Sequence, residues 1–200
     1  MADAYIERTR EFFGIRAATW DTKFGHDMPV YAAAIAEAGI RRGGVAVDAG
    51  CGTGRALPSL RDAVGPDGTV IGLELTPQML AQARSAGWAR SASLLVLADA
   101  RSLPLASQSV DAVFAAGLVN HLPDPRAGLA ELARVTRAGG VLALFHPIGR
   151  AALAARHGRT ISPDEILSPA PLRTATAATG WDLTVYDDAP GRFLALATRR

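Results

Sequence analysis

Asp48, Gly50, Gly52 and Gly54 stand at alternate positions in the stretch VAVDAGCGTGRAL, residues 45–57. Glycine lets a backbone approach a ligand closely, and the start of a helix offers unpaired N–H groups. A buried strand of Val45, Ala46 and Val47 leading into this loop and a helix would therefore make a ligand cradle. Dinucleotide-binding loops use G-x-G-x-x-G, in which the third glycine lets helix and strand pack closely. Here the pattern is D-x-G-x-G-x-G, and Arg55 stands where that third glycine would be. That disfavours a dehydrogenase. An acid ahead of the loop repels a pyrophosphate and attracts a positive amino acid group. The loop points to a cationic adenosyl ligand.

Ligands of open parallel sheets lie beyond the carboxyl ends of the strands. Glu74 and Asp99 close the second and third predicted strands, as Asp48 closes the first. At the second strand end a carboxylate can hold both hydroxyls of a ribose. At the third it can accept from the exocyclic amine of adenine, with the Ala100 N–H serving a ring nitrogen and Leu75 offering the base an apolar surface. Acids at strand ends can also cap helices. Three of them together with the glycine loop favour a ligand.

The elements that must position these residues follow from the pattern. Residues 1–44 read as mainly helical, with Tyr5, Ile6, Thr9, Phe12 and Phe13 at helical spacing. Residues 14–29 read as irregular, followed by a helix over 30–38. Thr53 is placed to cap a helix over 54–63, and Gly65-Pro66-Asp67-Gly68 is a turn. Strands are predicted over 69–75, 93–98, 110–115 and 141–145. Between them come a helix capped by Thr76 and begun by Pro77, and another over 125–137 ended by Gly139-Gly140. This alternation implies a parallel sheet with right-handed crossovers. Residues 147–180 read as two helices around a Pro-rich break at 163–171. Residues 181–186 and 193–198 read as an antiparallel hairpin at one sheet edge. One domain is expected: an N-terminal helical lid or pocket segment over 1–44 and a core over 45–200.

Composition narrows the function. At 200 residues and 49% hydrophobic, the chain can bury a sizeable core. No apolar run reaches membrane-spanning length, and the acids of the first residues do not fit a secretory signal. Cys51, the one cysteine, cannot form an internal disulfide, which suits a reducing cytoplasm. The net charge is +2, with charges scattered and no basic block, so neither nucleic acid nor membrane is an expected partner.

VAVDAGCGTG at 45–54, GLELTPQML at 72–80 and ADARSLPLASQSVDAV at 98–113 resemble the motifs of class I S-adenosylmethionine-dependent methyltransferases. HLPDPRAGLAELARVTRAGG at 121–140 resembles the stretch leading to their fifth strand. The resemblance runs over residues 45–145. It implies an α/β, Rossmann-like three-layer sandwich, with a mostly parallel seven-stranded sheet and a C-terminal antiparallel hairpin. It also implies S-adenosylmethionine as cofactor and S-adenosylhomocysteine as product. By position, the loop with Gly50, Cys51, Gly52 and Gly54 would hold the methionine portion, with Asp48 ordering it. Glu74 and Leu75 would serve ribose and base, Asp99 and Ala100 the adenine, and the backbone near Ala116 the amino group. Glu74 stands where the family more often has aspartate, and Thr76 where it has serine.

Methyl transfer from a sulfonium is an in-line displacement, so positioning supplies much of the rate. A base helps when the acceptor must lose a proton. His121 follows the fourth strand and His146 the fifth, and both are candidates. Each could instead order a loop. In similar enzymes the segment holding Trp20 and Asp21 covers the cofactor or lines the acceptor pocket. His26 and Tyr31 are weaker candidates of that kind, and His157 reads as surface. No metal-ligand cluster and no nucleophilic triad is visible. Without a long inserted domain, the expected acceptor is a small metabolite, methylated on O, N or C. A homodimer is left open. The alternatives are a repurposed fold that keeps the cofactor for a non-methylating reaction, and a non-catalytic cofactor-binding partner.

Overall fold

The computed structural model describes residues 3–24 and 27–200, so His26 lies outside the described residues. Strand β1 (Val45–Ala49) is central, because its small and β-branched residues are buried on both faces. It pairs in parallel with β2 (Thr69–Glu74) on one side and β4 (Val110–Ala116) on the other. Outside these lie β3 (Leu94–Leu97) and β5 (Thr136–His146), both parallel to their neighbours. The antiparallel pair β6 (Trp181–Ala189) and β7 (Arg192–Arg199) completes seven strands in the order β3-β2-β1-β4-β5-β7-β6. The strand order reverses between β1 and β4, and this opens a crevice at their carboxyl ends.

Successive β1 side chains enter opposite layers. Ala46, with Val70, Ala112 and Ala143, packs against Ile35 of α3 (Met28–Glu37) and against Leu57 and Leu60 of α4 (Leu57–Val64). Val47, with Leu73, Val113 and Leu142, packs against Leu129 and Leu132 of α6 (Pro125–Val135) and Leu172 of α8 (Pro169–Ala178). Each such fully buried leucine contributes roughly 1.5–3 kcal/mol relative to exposure. Trp181 joins β6 to α6, its indole N–H donating to the Leu129 carbonyl at 3.0 Å. This is the α/β sandwich expected from the sequence, with the hairpin at one sheet edge.

Several boundaries differ for physical reasons. The helix after the glycine loop begins at Leu57 rather than at 54. Thr53 does not cap it, because its hydroxyl donates to Asp21 instead. Thr76 stands at the N-cap of α5 (Pro77–Ser85), but its hydroxyl has no partner there. Helix α6 stops at Val135, before the glycine pair. Thr136 turns its hydroxyl back onto the Leu132 carbonyl and pairs with Val110, so Gly139-Gly140 lies within β5. The stretch expected to be irregular holds a 3₁₀ turn (Ala17–Thr19) and the short α2 (Trp20–Phe24). Pro169 and Pro171 of the expected break form the first turn of α8, where a missing N–H costs nothing. The other helix of that region is α7 (Arg150–Arg156). Helix α1 (Ala4–Gly14) forms as expected but leaves Phe12 46% exposed.

Candidate active site

The loop after β1 is shaped by its glycines. Gly50, Gly52 and Gly54 have φ of 73°, 55° and 88°, a region where a side chain is strained. A β-carbon on Gly54 would sit 2.9 Å from Leu57 Cδ1 and 3.2 Å from Trp88 Cβ, so this glycine permits packing. A β-carbon on Gly52 would meet nothing within 4 Å. Gly52 therefore faces open space beside the strand ends, while the Gly50 and Cys51 N–H groups are held by the Leu73 carbonyl at 2.8 and 2.9 Å.

Asp48 and Glu74 lie beneath this loop. Glu74 Oε2 accepts from the Gly52 N–H at 3.0 Å, and Oε1 from the Thr76 N–H at 2.8 Å. Burial raises the Glu74 pKa, and these N–H groups oppose the rise. Asp48 is 1% exposed and its Oδ2 has no hydrogen-bond partner. Burial, reinforced by Glu74 and countered by Arg55, pushes its pKa up to about 8. An orphaned buried carboxylate oxygen is costly unless something pairs with it. A cationic amino group is the chemistry that this unpartnered oxygen would accept. Cys51 is buried in the same loop, and its thiol pKa is raised by burial.

Asp99, half-buried just past β3, is held by one neighbour. Its Oδ1 accepts from the Arg101 backbone N–H at 2.9 Å, and Oδ2 from Arg101 Nε and Nη2 at 2.9 and 2.6 Å. Arg101 Nη2 also reaches Asp3 Oδ2, at 2.7 Å, and its guanidinium lies 4.5 Å from the centre of the Tyr5 ring. Leu75 is buried, and its carbonyl accepts from Arg10 Nε at 3.0 Å. Ala100 and Ala116 are half-buried at their strand ends.

The N-terminal segment meets the glycine loop directly. Thr53 donates to Asp21 Oδ1 at 2.6 Å, and Arg55 pairs with Asp27 at 3.5 Å and Asp21 at 3.9 Å. Trp20 packs edge-on against Phe13, whose ring in turn meets His121, with centroid separations of 5.6 and 5.2 Å. His121 keeps an edge open to solvent, while crowding by the surrounding protein lowers its pKa. Tyr31 belongs to the core. It is 5% exposed, packs on Phe145 and Phe114, and burial pushes its pKa up to about 12. His157 is exposed.

His146 lines a cavity of about 30 Å³, together with Leu118, Asn120, Ile148, Leu153 and Phe193. Its Nδ1 lies 2.9 Å from the Ile148 carbonyl oxygen and 3.1 Å from the Ile148 nitrogen, and burial lowers its pKa. Sequence reasoning missed Arg150 on this wall. Its guanidinium donates to Ser168 Oγ at 2.7 Å and Glu165 at 3.1 Å, and to Tyr186 Oη at 3.1 Å and Asp188 at 3.4 Å. Two carboxylates thus neutralise the wall's buried cation. It also missed Arg101, and it read Phe13 only as part of the apolar spacing of the first helix; no local signal marks the distant contacts of any of the three. Among the described residues no cluster of His, Cys, Asp and Glu could hold a metal ion. Among the described residues no helix is long and apolar enough to cross a membrane.

Residues 47–144 match the Methyltransferase domain family. The malonyl-[acyl-carrier protein] O-methyltransferase of Hahella chejuensis is 34% identical over 138 residues, 68% of this chain and 48% of that protein. The chain spans less than half the length of the curated relatives it matches. In structure it is similar to a chain of the Haloferax volcanii complex that joins the Trm112 methyltransferase activator to a methyltransferase. That likeness has a TM-score of 0.77 and 22% identity, covering 95% of this chain and 96% of that one. It is also similar to the magnesium protoporphyrin IX methyltransferase of Synechocystis with bound S-adenosylmethionine. The TM-score there is 0.71 and the identity 18%, covering 100% of this chain and 99% of that one.

Proposed function

The chain belongs to the class I S-adenosylmethionine-dependent methyltransferases, and from that membership we propose that it methylates O, N or C of a small metabolite. The observation that carries the reading is the buried, unpartnered Asp48 Oδ2 beneath a glycine loop whose middle glycine opens on empty space. When bound, S-adenosylmethionine supplies an electrophilic methyl group on a sulfonium.

The chain's own residues then bind, orient and shield. Asp48 and the loop of Gly50, Cys51, Gly52 and Gly54 take the amino acid end, with the backbone at Ala116 facing the amino group. Each Glu74 oxygen accepts one backbone N–H and keeps a lone pair for a ribose hydroxyl. Asp99, Ala100 and Leu75 take the adenine. The segment over 1–44 acts as lid and pocket wall, with Trp20 and Asp21 on the acceptor side, and residues 45–200 form the catalytic core.

His146 is the favoured proton acceptor for a hydroxyl substrate. In the tautomer whose Nδ1–H donates to the Ile148 carbonyl, Nε2 keeps its lone pair. The lowered pKa keeps the ring neutral near pH 7. His121 is the second candidate. A small acceptor is supported by the demethylmenaquinone and magnesium protoporphyrin IX in the names of similar proteins.

The test is incubation of the chain with methyl-labelled cofactor and a panel of small hydroxy, amino and activated-carbon compounds, followed by mass spectrometry. Label in a small product is the expected result. Conversion of a compound without label transfer would replace this reading with a non-methylating one.

A further inference from the structure

Asp99 lies past the short edge strand β3, and among the described residues no strand pairs with β3 on its outer side. A carboxylate in such a place rotates freely unless something holds it. Arg101 holds it on both oxygens, with one N–H on Oδ1 and two on Oδ2. A carboxylate offers about four acceptor sites. Three are filled, and the remaining one is on Oδ1. The same Nη2 also donates to Asp3 at the N-cap of α1, and the guanidinium lies over the Tyr5 ring.

We infer that Arg101 is a positioning residue of the adenine subsite, which turns Asp99 so that one open acceptor site meets the exocyclic amine. This rests on the cofactor reading above. Arg101 sets direction as well as charge, since its two side-chain donors converge on Oδ2 while its backbone N–H holds Oδ1, and a lysine ammonium would replace that directed pair with a single mobile donor. A base with an oxo group in place of the amine would present lone pairs to the same oxygen. Arg101 thereby sets a preference for adenosyl over inosyl ligands, and Asp3 and Tyr5 make α1 part of that selection.

Calorimetric titration with S-adenosylhomocysteine and S-inosylhomocysteine tests this on the wild-type chain and on Arg101→Ala and Arg101→Lys, with thermal melts confirming folding. The wild type should prefer the adenosyl ligand by at least about tenfold, the scale of one hydrogen bond to a charged acceptor. Arg101→Ala should remove most of that preference by weakening the adenosyl ligand alone. Arg101→Lys should restore little of it. Equal weakening of both ligands, unchanged or tighter adenosyl binding, or full rescue by lysine would each overturn the inference. Adenosyl binding by the wild type without any preference would overturn it too. A wild-type chain that binds neither ligand would instead defeat the cofactor assignment.

Discussion

The Thr53 hydroxyl donates to Asp21 Oδ1 over 2.6 Å and ties the glycine loop to a helical turn 32 residues earlier in the chain. Thr53 is 2% exposed, so this bond is shielded, and Arg55 reinforces it from the adjoining position through Asp21 and Asp27. The glycine loop and the N-terminal segment are therefore tied together. Thr53→Val keeps the shape and removes the donor. It should weaken S-adenosylhomocysteine binding by about fivefold, corresponding to one net hydrogen bond of about 1 kcal/mol. It should also speed proteolysis within the first 40 residues. Calorimetry and timed limited digestion check both, and wild-type values in the two assays would show that the bond couples nothing.

Asp48 makes the ligand-free chain sensitive to pH. Its folded pKa, about 8, lies above the ordinary 3.8, so between those values the folded chain holds a proton that the unfolded chain has released. Stability is greatest below the ordinary value and falls as pH climbs to the folded one, by about 1.4 kcal/mol per unit for each proton. Asp48→Asn should melt at a higher temperature than the wild type at pH 8, by a smaller margin at pH 5, and should bind the cofactor less tightly. A lower melting temperature than wild type at pH 8 would contradict this account.

Glu74→Ala orphans the Gly52 and Thr76 N–H groups as well as removing the proposed ribose acceptor. Affinity for S-adenosylhomocysteine should fall about a hundredfold or more, with a loss of stability of about 1–3 kcal/mol. Denaturant titration beside calorimetry separates the two effects. Unchanged affinity would place the ribose elsewhere.

His146→Ala should lower kcat by about a hundredfold for a hydroxyl acceptor, in line with loss of a general base. Because burial lowers the wild-type pKa, the wild-type rate should rise from acid pH and level off by neutrality, and the variant should lose that rise. His121→Ala, measured in parallel, should keep it. Wild-type rates in both variants would leave positioning as the sole source of rate.

Arg150→Met tests the wall of the cavity at His146. It takes from Asp188 and Glu165 the cation they share, while Glu165 keeps Arg159 at 3.6 Å. The expected loss is about 3–5 kcal/mol, read as a lower melting temperature. Arg150→Met/Glu165→Gln/Asp188→Asn, which removes the stranded charges as well, should recover much of it.

The order of strands and helices, the glycine loop and the three strand-end acids were legible in the sequence because each rests on local rules. Strand and helix periods, turn residues and the need for positive φ act within a few residues of one another. The errors came where a side chain chose a distant partner over a local one. Thr53 turned to Asp21 and left its helix uncapped, and Thr136 paired with Val110 and ended α6 early. The glycine loop therefore carries two kinds of information. Its spacing alone indicated a cationic adenosyl ligand over a dinucleotide. Tertiary structure alone decided which distant residues meet around the strand ends. Arg101 spans 98 residues to Asp3, and Arg150 spans 38 to Asp188. Contacts of that reach depend on how the chain folds back, and they leave no periodic trace in the residues between.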